Sequence, residues 1–252
     1  MINIDSMVIE VTRRCNMTCA HCLRGEPQKK DISDSILDTF FSKVGKGYIS
    51  NLTITGGEPS LVPDRINAIV DAAERHGTSI GAFYIVTNGK QVSDAFLLAV
   101  MRLYCICGDK ESCGLQYSND VYHNSITAQN RDKLEVFRFT SPRNTKEYTP
   151  RQGEYEINEG RAKRNNIGVR EEKGINPEYF ELDNYIDTED ESIRSEMTVY
   201  LNCKGNIVCG CDWSYRSQDR KSNVVCHVDN FSITEVYAYL MEFEVKAQKQ
   251  AA

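Results

Sequence analysis

The chain has 252 residues, 40% hydrophobic and 26% charged, enough for one large globular domain or a domain with a small appendage. Its 30 basic and 36 acidic residues leave a net charge of -6, which disfavours a general nucleic-acid or anionic-membrane binder. No apolar run approaches the roughly 20 residues of a membrane span, and the start, "MINIDSMVIEV", lacks the basic and apolar regions of an export signal. The expected location is therefore the cytoplasm.

The chain opens with "MVIEVT" (7–12), a β-branched run that predicts a strand. Residues 31–47 predict a helix with Ile32, Ile36, Leu37, Phe40, Phe41 and Val44 on one face, a cap at Asp31 or Ser33, and a stop at Gly45 and Gly47. A strand at 51–55 precedes a helix at 63–77, with Pro63 in its first turn and Gly77 past its end. A strand at 81–89, a helix at 93–103, a strand at 114–118, a helix at 125–134 and a strand at 134–140 follow. Such alternation implies βα units and a parallel sheet, whose strand-end loops gather on one edge. Residues 141–197 are polar and without clear pattern, whereas 197–211 predicts a hairpin turning at Lys204–Asn206. A helix at 232–248, with Ser232 and Glu235 as a capping box, closes the chain.

The ten cysteines fall into groups: Cys15, Cys19 and Cys22; Cys105, Cys107 and Cys113; Cys203, Cys209, Cys211 and Cys226. Reduced cytosolic thiols in clusters point to metal rather than disulfides. The first three suit either zinc, with His21 as the local fourth ligand, or an iron–sulfur cluster with one iron left open. The four C-terminal thiols could close a second cluster or a zinc site. The middle trio admits a metal of its own, a ligand to the C-terminal site, a free thiol that donates a hydrogen atom, or inert packing. Trp213 reads as a hydrophobic anchor or a shield for a cluster.

Cys15-x3-Cys19-x2-Cys22 after the first strand, followed by Gly56-Gly57-Glu58-Pro59 after the second, resembles the radical S-adenosylmethionine (SAM) superfamily. His21 stands where that family commonly has an aromatic residue. The resemblance implies a partial (β/α)6 barrel over 1–195, an α/β fold, and a cysteine-rich extension over 196–252 similar to the SPASM and Twitch auxiliary-cluster modules. It further implies a [4Fe–4S] cluster on Cys15, Cys19 and Cys22, with SAM on the open iron. Gly56 and Gly57 would let the backbone approach SAM, Glu58 would accept from its ammonium, and Pro59 would complete the motif. Asn88, Ser118 and Asp120 are candidate contacts to SAM or substrate, and equally plain turn residues. His123 is a substrate contact or a packing residue. Arg161 in "GRA" is a candidate SAM contact, and with Lys163 and Arg164 it also reads as a solvated basic face. Cys203, Cys209, Cys211 and Cys226 would hold an auxiliary [4Fe–4S] cluster, with zinc as the alternative.

What the resemblance implies for function is reductive cleavage of SAM and hydrogen abstraction from a peptide or protein side chain. A small polar metabolite or modified nucleotide is the alternative substrate, the latter favoured only by the basic segments 161–173 and 216–221. A flavodoxin- or ferredoxin-type protein would supply the electron. A non-catalytic iron–sulfur or zinc sensing module is the rival from another class.

Overall fold

The computed structural model describes residues 1–120, 122–123, 126–143, 157–168, 174–175 and 180–251. Parts of the unpatterned stretch 141–197 lie outside them, among them residues 169–173 of one basic segment. Strand and helix alternate as β1 (Asn3–Thr12), α1 (Asp34–Val44), β2 (Tyr48–Gly56), α2 (Pro63–His76), β3 (Ser79–Thr87), α3 (Asp94–Ile106), β4 (Gly114–Ser118), α4 (Ala128–Leu134) and β5 (Thr140–Arg143). The helix ends follow their local chemistry. Ser33 Oγ accepts from the Ile36 N–H at 3.3 Å, and Gly77 closes α2 in the left-handed region with φ 74°.

One element differs from expectation. Residues 134–139 do not form a strand; α4 runs to Leu134, and pairing with β4 begins only at Thr140. The apolar residues there pack as a helix end and turn instead. Leu134 is fully buried, and Phe137 stacks on Phe139 with ring centroids 5.0 Å apart.

β1 to β5 pair in parallel in chain order. Ile9, Ile54, Ile85 and Leu115 lie opposite one another across four strands, and all are buried. This row seats the helices, through residues such as Phe40, Ile69 and Phe96. A short helix, α5 (Gly160–Arg164), precedes a small pair, β6 (Ile186–Asp187) and β7 (Ser192–Ile193). β7 and then β8 (Val199–Leu201) add in parallel along the free edge of β1. The predicted hairpin is β8 with β9 (Asn206–Cys209); its turn is held by Asn202 Oδ1, which accepts from the Lys204 and Asn206 N–H groups. After α6 (Tyr215–Gln218), β10 (Val224–His227) extends the sheet antiparallel to β9. α7 (Ile233–Ala251) ends the chain, with Ser232 Oγ accepting from the Glu235 N–H.

The fold is α/β with an open, mostly parallel sheet, the architecture of a partial barrel. The C-terminal extension continues the same sheet and shares its core, where Phe231 stacks on Phe40 at 5.5 Å. No helix among the described residues is long and apolar enough to cross a membrane. Phe40→Ala should cost about 3–5 kcal/mol in chemical denaturation, and the tail should lose protection together with α1.

Candidate active site

The C-terminal ends of β1, β2, β3 and β4 bring four loops together. The loop after β1 carries Cys15, Cys19 and Cys22, and its thiols are partly accessible. The loop after β2 carries Gly56 to Pro59 and is sewn onto the first by backbone bonds. The Gly57 N–H donates to Thr12 O at 2.7 Å, and the Glu58 N–H to Arg14 O at 2.8 Å. A Cβ on Gly56 would stand 2.2 Å from Thr12 O, and one on Gly57 2.1 Å from Arg14 O. The glycines therefore serve the contact between the two loops, a role the sequence reading gave to the ligand.

Glu58 is buried and faces the neighbouring loops. Its Oε1 accepts from the Ser60 N–H at 3.0 Å and Thr87 Oγ1 at 2.7 Å, and its Oε2 from the Asn88 N–H at 2.8 Å. Three of a carboxylate's roughly four acceptor sites are thus occupied. Pro59 begins a single 3-10 turn that Glu58 caps. Asn88 acts as a bridge: its Nδ2 donates to Asn16 Oδ1 at 2.8 Å inside the cysteine loop, and its Oδ1 accepts from the Lys90 N–H.

After β4, Ser118 is buried at the strand end. Asp120 accepts from the N–H groups of Tyr122 and His123 and from His123 Nδ1 at 2.7 Å. Burial would raise the Asp120 carboxyl, but His123 and the Tyr122 N–H hold it at about 2. Burial likewise opposes the His123 charge, yet Asp120 and the Cys19 thiol lift it to about 9. His21 reaches this group from the cysteine loop, stacked on Tyr122 at 4.2 Å and edge-on to His123 at 5.2 Å. Donor atoms of His21, Asp120 and His123 lie within 4.8 Å of one another, the one such His/Cys/Asp/Glu group among the described residues.

The cysteine loop fits an iron–sulfur cluster better than a lone zinc ion. It offers three thiols and no fourth, which suits a cluster of several irons with one left open, whereas a structural zinc site closes with four ligands. Burial pushes the Cys15 thiol up to about 11, with Glu58, Cys22 and Cys19 adding to it against a bond from the Met17 backbone. A cationic centre beside Cys15 would offset that cost and favour its thiolate.

Arg161, the candidate SAM contact, braces this loop from behind. Its Nε donates to Cys19 O at 2.9 Å and its backbone N–H to Cys22 O at 2.8 Å. Sequence reading missed the stronger brace. Arg13 is fully buried. Its guanidinium donates to Glu10 Oε1 at 2.7 Å, to Gln218 Oε1 at 3.0 Å, and to both Asp219 oxygens at 3.0 and 3.1 Å. Tyr200 OH donates to the other Glu10 oxygen at 2.9 Å, and Tyr215 lies under the guanidinium at 4.6 Å. The available signal was two charges, Glu10 and Arg13, at the end of the apolar run Met7–Ile9.

Two of the tail cysteines stand apart along the hairpin. Cys203 sits past the end of β8 and Cys209 pairs with Val199 at the far end of the hairpin, on the order of 10 Å away along the strands. The Cys203 thiol donates to Glu10 O at 3.2 Å inside the core, where burial pushes it well above its usual range. Cys226 is buried opposite Ile207, and Cys211 is half-buried. Trp213 donates to Cys209 O at 2.9 Å and packs on Val8, Tyr200 and Val208 as an anchor.

Cys105, Cys107 and Cys113 lie away from this edge of the sheet. Cys107 bridges to Ile80 at the start of β3, seven residues from Thr87 and so ~23 Å from the site edge. Cys113 precedes β4, and Cys105 faces solvent on the last turn of α3.

Two substitutions test this geometry. Arg13→Ala should cost about 3–5 kcal/mol by leaving Glu10 buried without its counter-charge, and should lower the iron retained after anaerobic reconstitution. Gly57→Ala should separate the two loops and lower iron retention, while far-UV circular dichroism stays unchanged.

Three comparisons bear on this site. Residues 9–139 match the model of the Radical SAM superfamily. GTP 3',8-cyclase of Listeria monocytogenes serotype 4b is 29% identical over 106 residues, covering 38% of this chain and 32% of that protein. The probable GTP 3',8-cyclase of Methanopyrus kandleri is 34% identical over 93 residues, covering 36% and 29%. The matches thus span about a third of the length of these curated relatives. Among solved structures, native anSMEcpe with bound AdoMet and Cp18Cys peptide is similar in fold, with a TM-score of 0.59 at 11% identity over 97% of this chain and 83% of that one. The family model covers the cysteine loop, the Gly56–Pro59 turn and the loop after β4, and the chain belongs to the radical SAM superfamily.

Proposed function

We propose that this chain is an enzyme whose Cys15, Cys19 and Cys22 hold a [4Fe–4S] cluster with SAM on its open iron, and that it abstracts a hydrogen atom from a peptide or protein side chain. The observation that carries the reading is the joining of the three-cysteine loop to the Gly56–Pro59 turn and the Asp120–His123 loop on one sheet edge. When bound, the reduced cluster and SAM supply a 5′-deoxyadenosyl radical.

The chain's own residues position these groups. Cys15, Cys19 and Cys22 supply three thiolates and no local fourth. Glu58 fixes the turn after β2 to the loop after β3, so that the free backbone edge of Gly56–Pro59 is held firm. One acceptor site left on its carboxylate suits an ammonium donor. Ser118, Asp120 and His123 form a polar wall at the end of β4, where an anionic carboxylate and a cationic imidazole suit the ribose and amino-acid ends of SAM. Arg161 acts on the loop carbonyls and orients the cysteines.

The tail cysteines have a structural role in this reading. Cys203 fills the core beneath Glu10, and the extension clamps the cysteine loop through Gln218 and Asp219. No auxiliary cluster is required.

The peptide substrate is supported by the fold shared with anSMEcpe, a protein solved with a peptide bound. A nucleotide is supported by the sequence likeness to GTP 3',8-cyclases. Incubating the reconstituted protein anaerobically with SAM and a strong reductant should yield 5′-deoxyadenosine. The Cys15→Ala, Cys19→Ala, Cys22→Ala variant should yield none. Mass analysis of reactions given a mixed peptide pool or GTP should show a changed peptide and unchanged GTP; the reverse result assigns the nucleotide.

A further inference from the structure

Behind the cysteine loop lies a cavity of about 380 Å³, walled by the loop's second half, α5 and the segment through α6. Six basic side chains line it against two acidic ones, Glu26 and Glu159, in a chain whose net charge is -6. The rest of the molecule is correspondingly more acidic.

The carboxylates do not neutralise this surface. Glu26 is shared by Arg161 at 3.3 Å and Arg164 at 2.6 Å. Glu159 accepts from Ser217 Oγ at 2.9 Å and is turned toward the tail. Arg24 is committed inward, donating to Trp213 O and lying over the Tyr200 ring. Lys163, Arg216 and Arg220 are exposed at the rim, and no carboxylate pairs with them among the described residues. The cavity floor also touches the cluster loop directly, since Arg161 holds the carbonyls of Cys19 and Cys22.

We propose that this basic rim docks an acidic redox protein, with a flavin or iron–sulfur centre, that delivers the electron to the cluster. The carrier loses one electron and the cluster gains one, with no bond made or broken. An acidic protein is repelled by the net negative charge of the rest of the chain and steered to this basic face beside the cysteine carbonyls. The inference rests on Cys15, Cys19 and Cys22 being the cluster ligands.

The test uses the reconstituted full chain and a variant carrying Lys163→Glu, Arg216→Glu and Arg220→Glu, matched for iron content. Reduction is followed by stopped-flow absorbance with two donors: a flavodoxin of strong negative charge, and a small photoreduced deazaflavin. Calorimetry measures binding of oxidised flavodoxin. The variant should be reduced by flavodoxin about tenfold or more slowly, with weaker binding, and by deazaflavin at the wild-type rate. The wild-type flavodoxin rate should also fall as salt rises, because the steering charges are solvent-exposed. Equal flavodoxin rates and affinities for the two proteins overturn the proposal, even if the variant binds an acidic peptide or nucleotide less well. A wild-type chain that deazaflavin cannot reduce contradicts the cluster reading itself, and this docking site with it.

Discussion

Arg13 stands two residues before the first cysteine of the loop, fully buried, with its charge balanced by Glu10 on the preceding strand and Asp219 in the tail. Burial opposes that charge, and the two carboxylates more than offset it, so the guanidinium remains protonated. The network has one sensible geometry. The paired hydrogen bonds to Asp219 fix the plane of the guanidinium, Glu10 fixes its depth, and Tyr200 and Gln218 close the remaining bonds. A loop that must hold three thiolates open to a ligand cannot pack a core of its own. Here its first residue is anchored to the sheet and to the extension at once. Buried ion pairs of this kind add little net stability over an apolar core, and breaking one is costly. Its value to this chain is the register it enforces between the cysteine loop and the tail.

The extension takes its meaning from that anchor. β8 runs beside β1 and carries Tyr200 to Glu10, and the segment through α6 carries Gln218 and Asp219 to Arg13. Four cysteines in this region invited a metal site. The hairpin sets Cys203 and Cys209 apart along its length and buries Cys203 against a backbone carbonyl. On the other side of the loop, α5 grips the carbonyls of Cys19 and Cys22 through Arg161. The cysteine loop is thus held from β1, β2, α5 and the tail, with its thiols left partly accessible.

Much of the fold was legible because its signals were local. Amphipathic spacing, Ser33, Pro63 and Gly77 marked α1 and α2, and the β-branched runs marked β1 to β3. The strand expected at 134–140 failed because Phe137 and Phe139 are apolar for ring stacking in a turn, which a strand pattern imitates. In the site, the spacing of Cys15, Cys19 and Cys22 and the Gly56–Pro59 turn pointed to the right sheet edge. Their partners were not legible. Asp219 meets Arg13 across 206 positions, and nothing local marks that pair. Nor could spacing reveal that Cys107 and Cys113 stand at the opposite end of the strands, since that requires the sheet's direction.

The central claim is that the chain builds one open-sided cluster site on three cysteines and that the remaining seven serve structure. Mössbauer spectroscopy of the iron-57-reconstituted protein, with and without SAM, tests it most directly. On adding SAM, about one iron in four should change its signal, as a single cluster with one open iron requires. A change in about one iron in eight would mean a second cluster held by the other cysteines, and no change at all would mean that no iron is open to SAM.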